Sequence, residues 1–464
     1  MSNAAKAAAH FDANRRDYLE DLKALVAIPS ISFPGFDHSH MKVSAQATAD
    51  LLKKRGFDKV EILPLDDAHP YVFAEVVADP KAPTLLLYAH HDVQPAGDAS
   101  QWTSPPFTPT ERNGRLYGRG TSDDKVGISI HAAAVDSWRK AGGGKLPVNL
   151  KFLIEGEEEI GSAHLMKFLH KHLDRLQADA IIITDTANID TGIPSLTNSL
   201  RGMAAVDVEV KVLKGPLHSG MWGGPLPDAA MALCKILARL TKDDGSVDLP
   251  GFYEKVMPMN AAERASLEKL PIDKSGFRKM SGILDGVPLT TEGSPFEAIW
   301  RKPTIAINAM QASSRADARN ILVESAWARV GVRLVPDQDP KAAQDALVKK
   351  LEENPPFGAQ VTVTRHQASP AWHCSTEHPA FQAAARSLQA GFGREPTILG
   401  AGGSIPFVGP FCEALGGVPA IMLGIEDPYS YIHGIDESQH IGDWERVTKS
   451  TIHLYEELAT TLRK

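Results

Sequence analysis

Residues 84–93, TLLLYAHHDV, constrain this chain more than any other stretch. An apolar, β-prone run bounded by Pro83 and Pro95 reads as a buried strand of a parallel sheet, and it ends abruptly in His-His-Asp. In open α/β sheets chemistry collects beyond the carboxyl ends of strands. His90 and Asp92 lie two residues apart, so an extended backbone points both the same way and turns His91 to the opposite face. A histidine backed by a carboxylate suits a metal ligand and its orienting partner. A polar surface turn is the plainer reading, and this stretch alone does not decide between them.

Two more apolar runs end in the same kind of residue. Val148–Ile154 leads into EGEEEIGS (155–162), and Ala180–Thr184 leads into Asp185. Glutamates crowded like this would ordinarily form a solvated face or gather at a helix N-terminus. Between the strands lies RLYGRGTSDDKVG (115–127), where Gly118 and Gly120 permit a tight turn that presents Asp123. By itself that would be an ordinary Gly-Asp turn. Three buried strands ending in ligand-type side chains are instead expected to converge on one site, collecting His90, Asp123, a glutamate from 157–159, Asp185 and His433. Imidazole and carboxylate oxygen without sulfur suit zinc, and also manganese or cobalt. Five donors exceed the three that a single catalytic ion takes from protein, but suit two ions sharing a carboxylate. Two divalent cations, three carboxylates and a bridging hydroxide make a cluster near neutral, as a buried site requires.

Around these strands the periodicity predicts helices over Asp12–Ala27, Ser44–Arg55 and Ile128–Ala141, with strands over Val60–Leu63 and Val72–Val77. From about Met203 the pattern changes. Ala205–Leu213 and Trp327–Val335 alternate strictly, Val361–Arg365 adds a third strand, and Asp228–Leu240 and Lys341–Leu351 carry helical spacing. That predicts a small α+β domain, with helices on one face of an antiparallel sheet. Residues 245–303 have little periodicity and read as an excursion or a cover. Helices over Pro379–Ala390 and Trp444–Leu462, a strand over Val418–Leu423 and a Gly-rich anion-holding turn at AGGSIP (401–406) complete the chain. The expected organisation is an α/β domain of residues 1–202 and 368–464, a mostly parallel sheet flanked by helices, with residues 203–367 inserted as an α+β domain.

A length of 464 residues agrees with two domains, and a net charge of -8 leaves no footprint for nucleic acid or anionic membrane. The three cysteines, Cys234, Cys374 and Cys412, form no CxxC and fit a reducing compartment. The opening residues lack the apolar core of a secretory signal, and no run is long enough to span a bilayer. A cytoplasmic protein is expected, and residues 1–4 are given no weight.

Together LLLYAHHDVQP (85–95), LYGRGTSDDKVG (116–127), EGEEEIGS (155–162), LHSGMWGG (217–224), LPGFYEKV (249–256), RLVPDQDP (333–340) and GGSIP (402–406) make the chain resemble the M20 family of metallopeptidases, especially its cytosolic nonspecific dipeptidase and carnosinase branch. The resemblance spans nearly the whole chain. It implies a metal-dependent exopeptidase catalytic domain and an inserted ferredoxin-like lid and dimerisation domain. His90 and Asp185 would hold one metal and Glu159 and His433 the other. Asp123 would bridge them, through a cis bond to Asp124. Asp92 would orient His90, and Glu158 would be the general base acting on a metal-bridging hydroxide. His218, reached from the partner subunit's smaller domain, would steady the oxyanion. Arg333, Gly403 and Ser404, helped by Asn308, would bind the substrate's C-terminal carboxylate. Around His433 the chain reads IHG where relatives have a small residue before this His and Ser after it, and His91 replaces a common aromatic. The implied function is two-metal hydrolysis of dipeptides or short peptides by a homodimer. An N-acyl-amino-acid deacylase or desuccinylase of the same family is the rival enzyme. A catalytically dead metal-binding scaffold is the rival of another class, and it would be expected to lose Asp123 or Glu158, both of which are present.

Overall fold

The structure is a computed structural model that describes residues 1–402, 405 and 407–463. The chain separates into two compact units: Met1–Asn198, Cys374–Leu399 and Phe407–Lys464 form the first, and Ser199–His373 with Gly400–Pro406 the second.

In the first unit Leu85, Leu86 and Leu87 are fully buried, each contributing about 1.5–3 kcal/mol of apolar burial, and their strand Thr84–His90 lies inside a mixed sheet. Its neighbours Asn149–Glu155 and Ala180–Ala187 run parallel to it, and Ala420–Glu426 runs parallel to the latter. Antiparallel strands flank this core, Tyr71–Val76 and Lys59–Leu63 on one side and Ser195–Leu200 on the other. The register sets His90 beside Glu155 and Tyr88 beside Ile183, so the carboxyl ends of three strands open at one level. Helices Asn3–Val26, Lys125–Ala141 and Ile441–Thr461 pack on one another against the sheet.

Two elements escape the periodicity. The first helix starts at Asn3 rather than Asp12, capped by Ser2, and buries Ala4, Ala7, Ala8 and Phe11. Alanine carries little apolar contrast, so this face leaves almost no amphipathic signal. Ser195–Leu200 is buried along its whole length although it reads SLTNSL. Its place comes from backbone pairing with Ala420–Glu426 and not from side-chain hydrophobicity.

In the second unit the strands are Thr304–Gln311, Ser325–Leu334, Gly202–Lys211 and Gln360–Arg365, antiparallel in that order. Alternation buries Val206, Val208, Val330 and Val332 beneath helices Ala229–Ala238 and Pro340–Glu352 and leaves the opposite face open. Residues 245–303 form three short helices, Ala261–Glu268, Lys274–Ser281 and Pro295–Arg301. The edge strand Thr304–Gln311 has no apolar alternation, because most of its residues are exposed.

Candidate metal centre

At the end of its strand His90 is fully buried, with Nε2 2.9 Å from Asp123 Oδ1 and Nδ1 3.3 Å from Asp92 Oδ1. Asp92 holds more than the histidine. It accepts the Ser32 hydroxyl at 2.7 Å and the backbone N–H groups of Glu158 and Glu159 at 3.2 and 3.1 Å. One buried carboxylate thereby fixes His90 and the glutamate turn together. Gln94 then fixes Glu159, its backbone N–H donating to Oε1 at 2.9 Å and its amide to Oε2 at 2.7 Å.

The second oxygen of Asp123 faces His433, whose Nε2 lies 2.9 Å away and 3.2 Å from Glu159 Oε2. Asp185 brings a carboxylate oxygen within 4.8 Å of the facing atoms of His90 and Asp123. Two donor groups result, His90–Asp123–Asp185 and Asp123–Glu159–His433, joined at Asp123. The peptide bond between Asp123 and Asp124 is cis, and the Asp124 carboxylate accepts the N–H of Gly127 at the start of the following helix.

Two residues that the sequence does not single out hold this arrangement from behind. Glu437, fully buried, accepts Arg119 Nη1 at 2.5 Å and the backbone N–H groups of Gly120, Ser122 and Asp123 at 3.1, 3.0 and 3.3 Å. Arg119 also donates to the carbonyls of Pro95 and Gly434. The pair thus ties the Asp123 turn to the loop that carries His433. Glu437 sits four residues after His433 in a polar loop, where nothing in the spacing distinguishes it from solvated charge.

The electrostatics leave a surplus of negative charge. Burial, reinforced by Asp123, pushes the Asp185 carboxyl up to about 7, and burial raises Glu158 and Glu426 well above the usual carboxylate range. Burial also opposes ionisation of Asp123, but His433 and His90 hold it below that range. Asp123 and Glu159 in turn raise His433 to about 10. So many buried carboxylates with so few cationic side chains among them need cations from outside. The donors are imidazole and carboxylate oxygen, which divalent zinc, manganese and cobalt accept. The residues fit such ions.

Glu157 and His91 stand outside the two donor groups. Glu157 accepts the backbone N–H of His69 at 2.9 Å and pairs with His164 at 2.8 Å, a structural tie. His91 places Nε2 2.9 Å from the Pro70 carbonyl oxygen, and burial lowers it to about 4, which keeps it neutral. In the second unit Asn308 and Arg333 line a cavity of about 480 Å³ on the open face of the sheet. His218 lies exposed on the two-residue strand Leu217–His218, its Nδ1 accepting the N–H of Gly220. Gly403 and Ser404 lie outside the described residues.

A cage of carboxylates and histidines at the carboxyl ends of the parallel strands in a mixed α/β sheet is the architecture of a metal-dependent hydrolase. The chain belongs to Peptidase family M20/M25/M40, which it matches over residues 86–458. It is 33% identical over 431 residues to the cysteinylglycine-S-conjugate dipeptidase of Corynebacterium striatum, covering 92% of each chain. It resembles the crystal structure of human carnosine dipeptidase 1 with a TM-score of 0.83 at 26% identity, covering 99% of each chain. It is similar also to the M20 family metallo-carboxypeptidase Sso-CP2 of Sulfolobus solfataricus, with a TM-score of 0.83 at 28% identity over 96% of this chain and 99% of that one.

Proposed function

We propose that this chain hydrolyses the peptide bond of dipeptides or short peptides with a free C-terminal carboxylate, using two divalent ions per subunit. The observation that carries the reading is Asp123: each of its oxygens lies 2.9 Å from a different imidazole, the arrangement of a carboxylate shared between two ions. His90 and Asp185 would hold one ion and Glu159 and His433 the other, with Asp123 common to the two donor groups. Zinc is the first choice, with manganese or cobalt as substitutes. The bound ions supply acidification of a water and polarisation of the scissile carbonyl. Glu158 would serve as the general base that accepts a proton from the attacking water and returns it to the leaving amine. Asp92 keeps the Glu158 turn and His90 in register throughout.

Residues 203–367 act as the lid and dimerisation domain of a homodimer, and His218, reaching across it, steadies the oxyanion. Arg333, Asn308, Gly403 and Ser404 take the substrate carboxylate, a role that suits the planar guanidinium fork of the arginine. The dipeptidase names of the relatives support this substrate class. No helix among the described residues is long and apolar enough to cross a membrane. The three cysteines form no disulfide, which supports a cytoplasmic setting.

The test is a metal-reconstituted assay of a dipeptide panel against the corresponding C-terminal amides and against N-acetyl and N-succinyl amino acids. Dipeptides should turn over fastest and their amides far more slowly. Faster cleavage of the acyl amino acids would establish the deacylase instead, and equal cleavage of acids and amides would remove the carboxylate clamp.

A further inference from the structure

The two donor groups of the cluster are built on unlike supports. His90 ends the strand Thr84–His90 and Asp185 lies inside the strand Ala180–Ala187, both in the sheet of the first unit. His433 stands instead on the loop that follows the strand Ala420–Glu426. Packing does not hold that loop, because Tyr429, Tyr431 and Ile432 are exposed. Backbone preference does not hold it either. Tyr431, His433 and Asp436 have φ of 50°, 62° and 57°, a region that residues with side chains seldom occupy unless their surroundings impose it.

A polar clamp does. The buried guanidinium of Arg115 donates to both stems of the loop. Nη1 and Nη2 form a fork on Asp427, reaching Oδ2 at 2.8 Å and Oδ1 at 2.9 Å. Nε donates to the Ser438 hydroxyl at 2.8 Å, and Nη2 also reaches the Ser438 carbonyl at 2.9 Å and the Ser430 hydroxyl at 3.3 Å. The Ser438 N–H donates in turn to the Ser430 carbonyl at 2.9 Å and closes the stems on each other. Arg119 reaches Glu437 and the Gly434 carbonyl, on the returning stem alone; Arg115 spans both. A planar fork with five N–H groups suits that task, and an ammonium on a flexible stem does not.

We infer that Arg115 is a positioning residue for His433, and through it for the ion of the Asp123–Glu159–His433 group alone. This rests on the two-ion reading above. Arg115 makes no hydrogen bond to any of the five donor residues. It acts by keeping the loop in the form that sets His433 Nε2 2.9 Å from Asp123 and 3.2 Å from Glu159. The ion of His90 and Asp185 draws on no residue of this loop.

The experiment counts zinc per subunit by mass spectrometry for Arg115→Lys, His433→Ala and the double variant. Free zinc is held by a chelator buffer at the level that just fills both sites of the parent. His433→Ala is the reference and should hold one ion. Arg115→Lys should also hold one, and raising free zinc about 10- to 100-fold should return the second, the usual worth of a partner that orients a ligand. The double variant should bind its one ion as tightly as His433→Ala does, because nothing is left for Arg115 to place. If Arg115→Lys fills both sites at the parental zinc level, or loses both ions together, the inference is overturned while a one-ion His433→Ala keeps the two-ion reading standing. A double variant that binds its ion more weakly than His433→Ala also overturns it, since Arg115 would then support the whole centre. His433→Ala holding two ions overturns the assignment of His433 and the inference with it. Should Arg115→Lys fail to fold, Ser438→Ala removes one acceptor of the clamp and should weaken the second ion by up to about tenfold, the worth of one hydrogen bond to a charged group. Parental affinity in that variant would overturn the inference.

Discussion

The carboxylate cluster of the first unit and the open sheet face of the second hold their functional groups by different means. In the cluster three of the candidate ligands are clamped by a neighbour: His90 by Asp92, Glu159 by Gln94, the Asp123 turn by Glu437. His90, Asp92 and Asp123 are buried there while the His433 side chain is 54% exposed, and the surplus of negative charge makes the site costly until cations arrive. On the open face Arg333 and Asn308 are placed by strand alternation and by a register shift between Ile307 and Ala309, with solvent on the same side. A site that must meet concentrated charge is built into the core, where every polar group needs a partner. A site that only selects a substrate group can rest on the surface of a sheet.

If that contrast holds, the largest effect should come from the one buried carboxylate that is assigned to chemistry and not to holding metal. Glu158→Gln keeps the shape and the backbone N–H that donates to Asp92. It should lower kcat by about 10²–10⁴ while metal content, measured by mass spectrometry, stays at the parental value. Retained turnover would end its role as base. A parallel loss of metal would make Glu158 another ligand and erase the distinction between holding and reacting inside the cluster.

A smaller effect is expected one layer behind the ligands. Glu437→Gln retains an oxygen for the N–H groups of the Asp123 turn but loses the charge that faces Arg119. Zinc affinity, read by competition with a coloured chelator, should fall about 10- to 100-fold, the usual worth of a partner that orients ligands. Unchanged affinity would mean that the turn holds its form without Glu437, so that the cluster is less tightly clamped than its hydrogen bonds imply.

The same contrast explains what could be read from the sequence. Buried strands ending in His90, the 155–159 glutamates and Asp185 leave a signal because a long apolar run beside ligand residues is rare. The alternation of Ala205–Leu213 and Trp327–Val335 is legible because one face is packed and the other is not. The exposed edge strand Thr304–Gln311 and the polar buried strand Ser195–Leu200 carry neither pattern. Glu437 and Arg115 are invisible for another reason: their importance lies in what stands opposite them in space, and no spacing along the chain encodes that.

The smallest effect, taken per pH unit, is that of pH, and it separates the two regions most cleanly. In the metal-free chain Asp123 and Glu159 raise His433 from the ordinary imidazole value of 6.5 to about 10. A raised pKa means that the pairing stabilises the fold fully below about 6.5 and that this contribution is lost as pH rises through about 10. A cation needs the neutral ring and must displace that proton, so metal affinity should rise with pH toward about 10, by at most about tenfold per pH unit for this group. Proton release during zinc titration, compared in buffers of different ionisation enthalpy, measures it directly. A guanidinium group does not lose its proton in this range, so in metal-saturated enzyme the KM ratio of a dipeptide to its C-terminal amide should be flat. A ratio that follows the metal-affinity curve would place carboxylate recognition on the ions instead of on the open sheet. Zinc uptake without proton release would mean that His433 already presents a neutral ring, and the charge-starved picture of the cluster would fail with it.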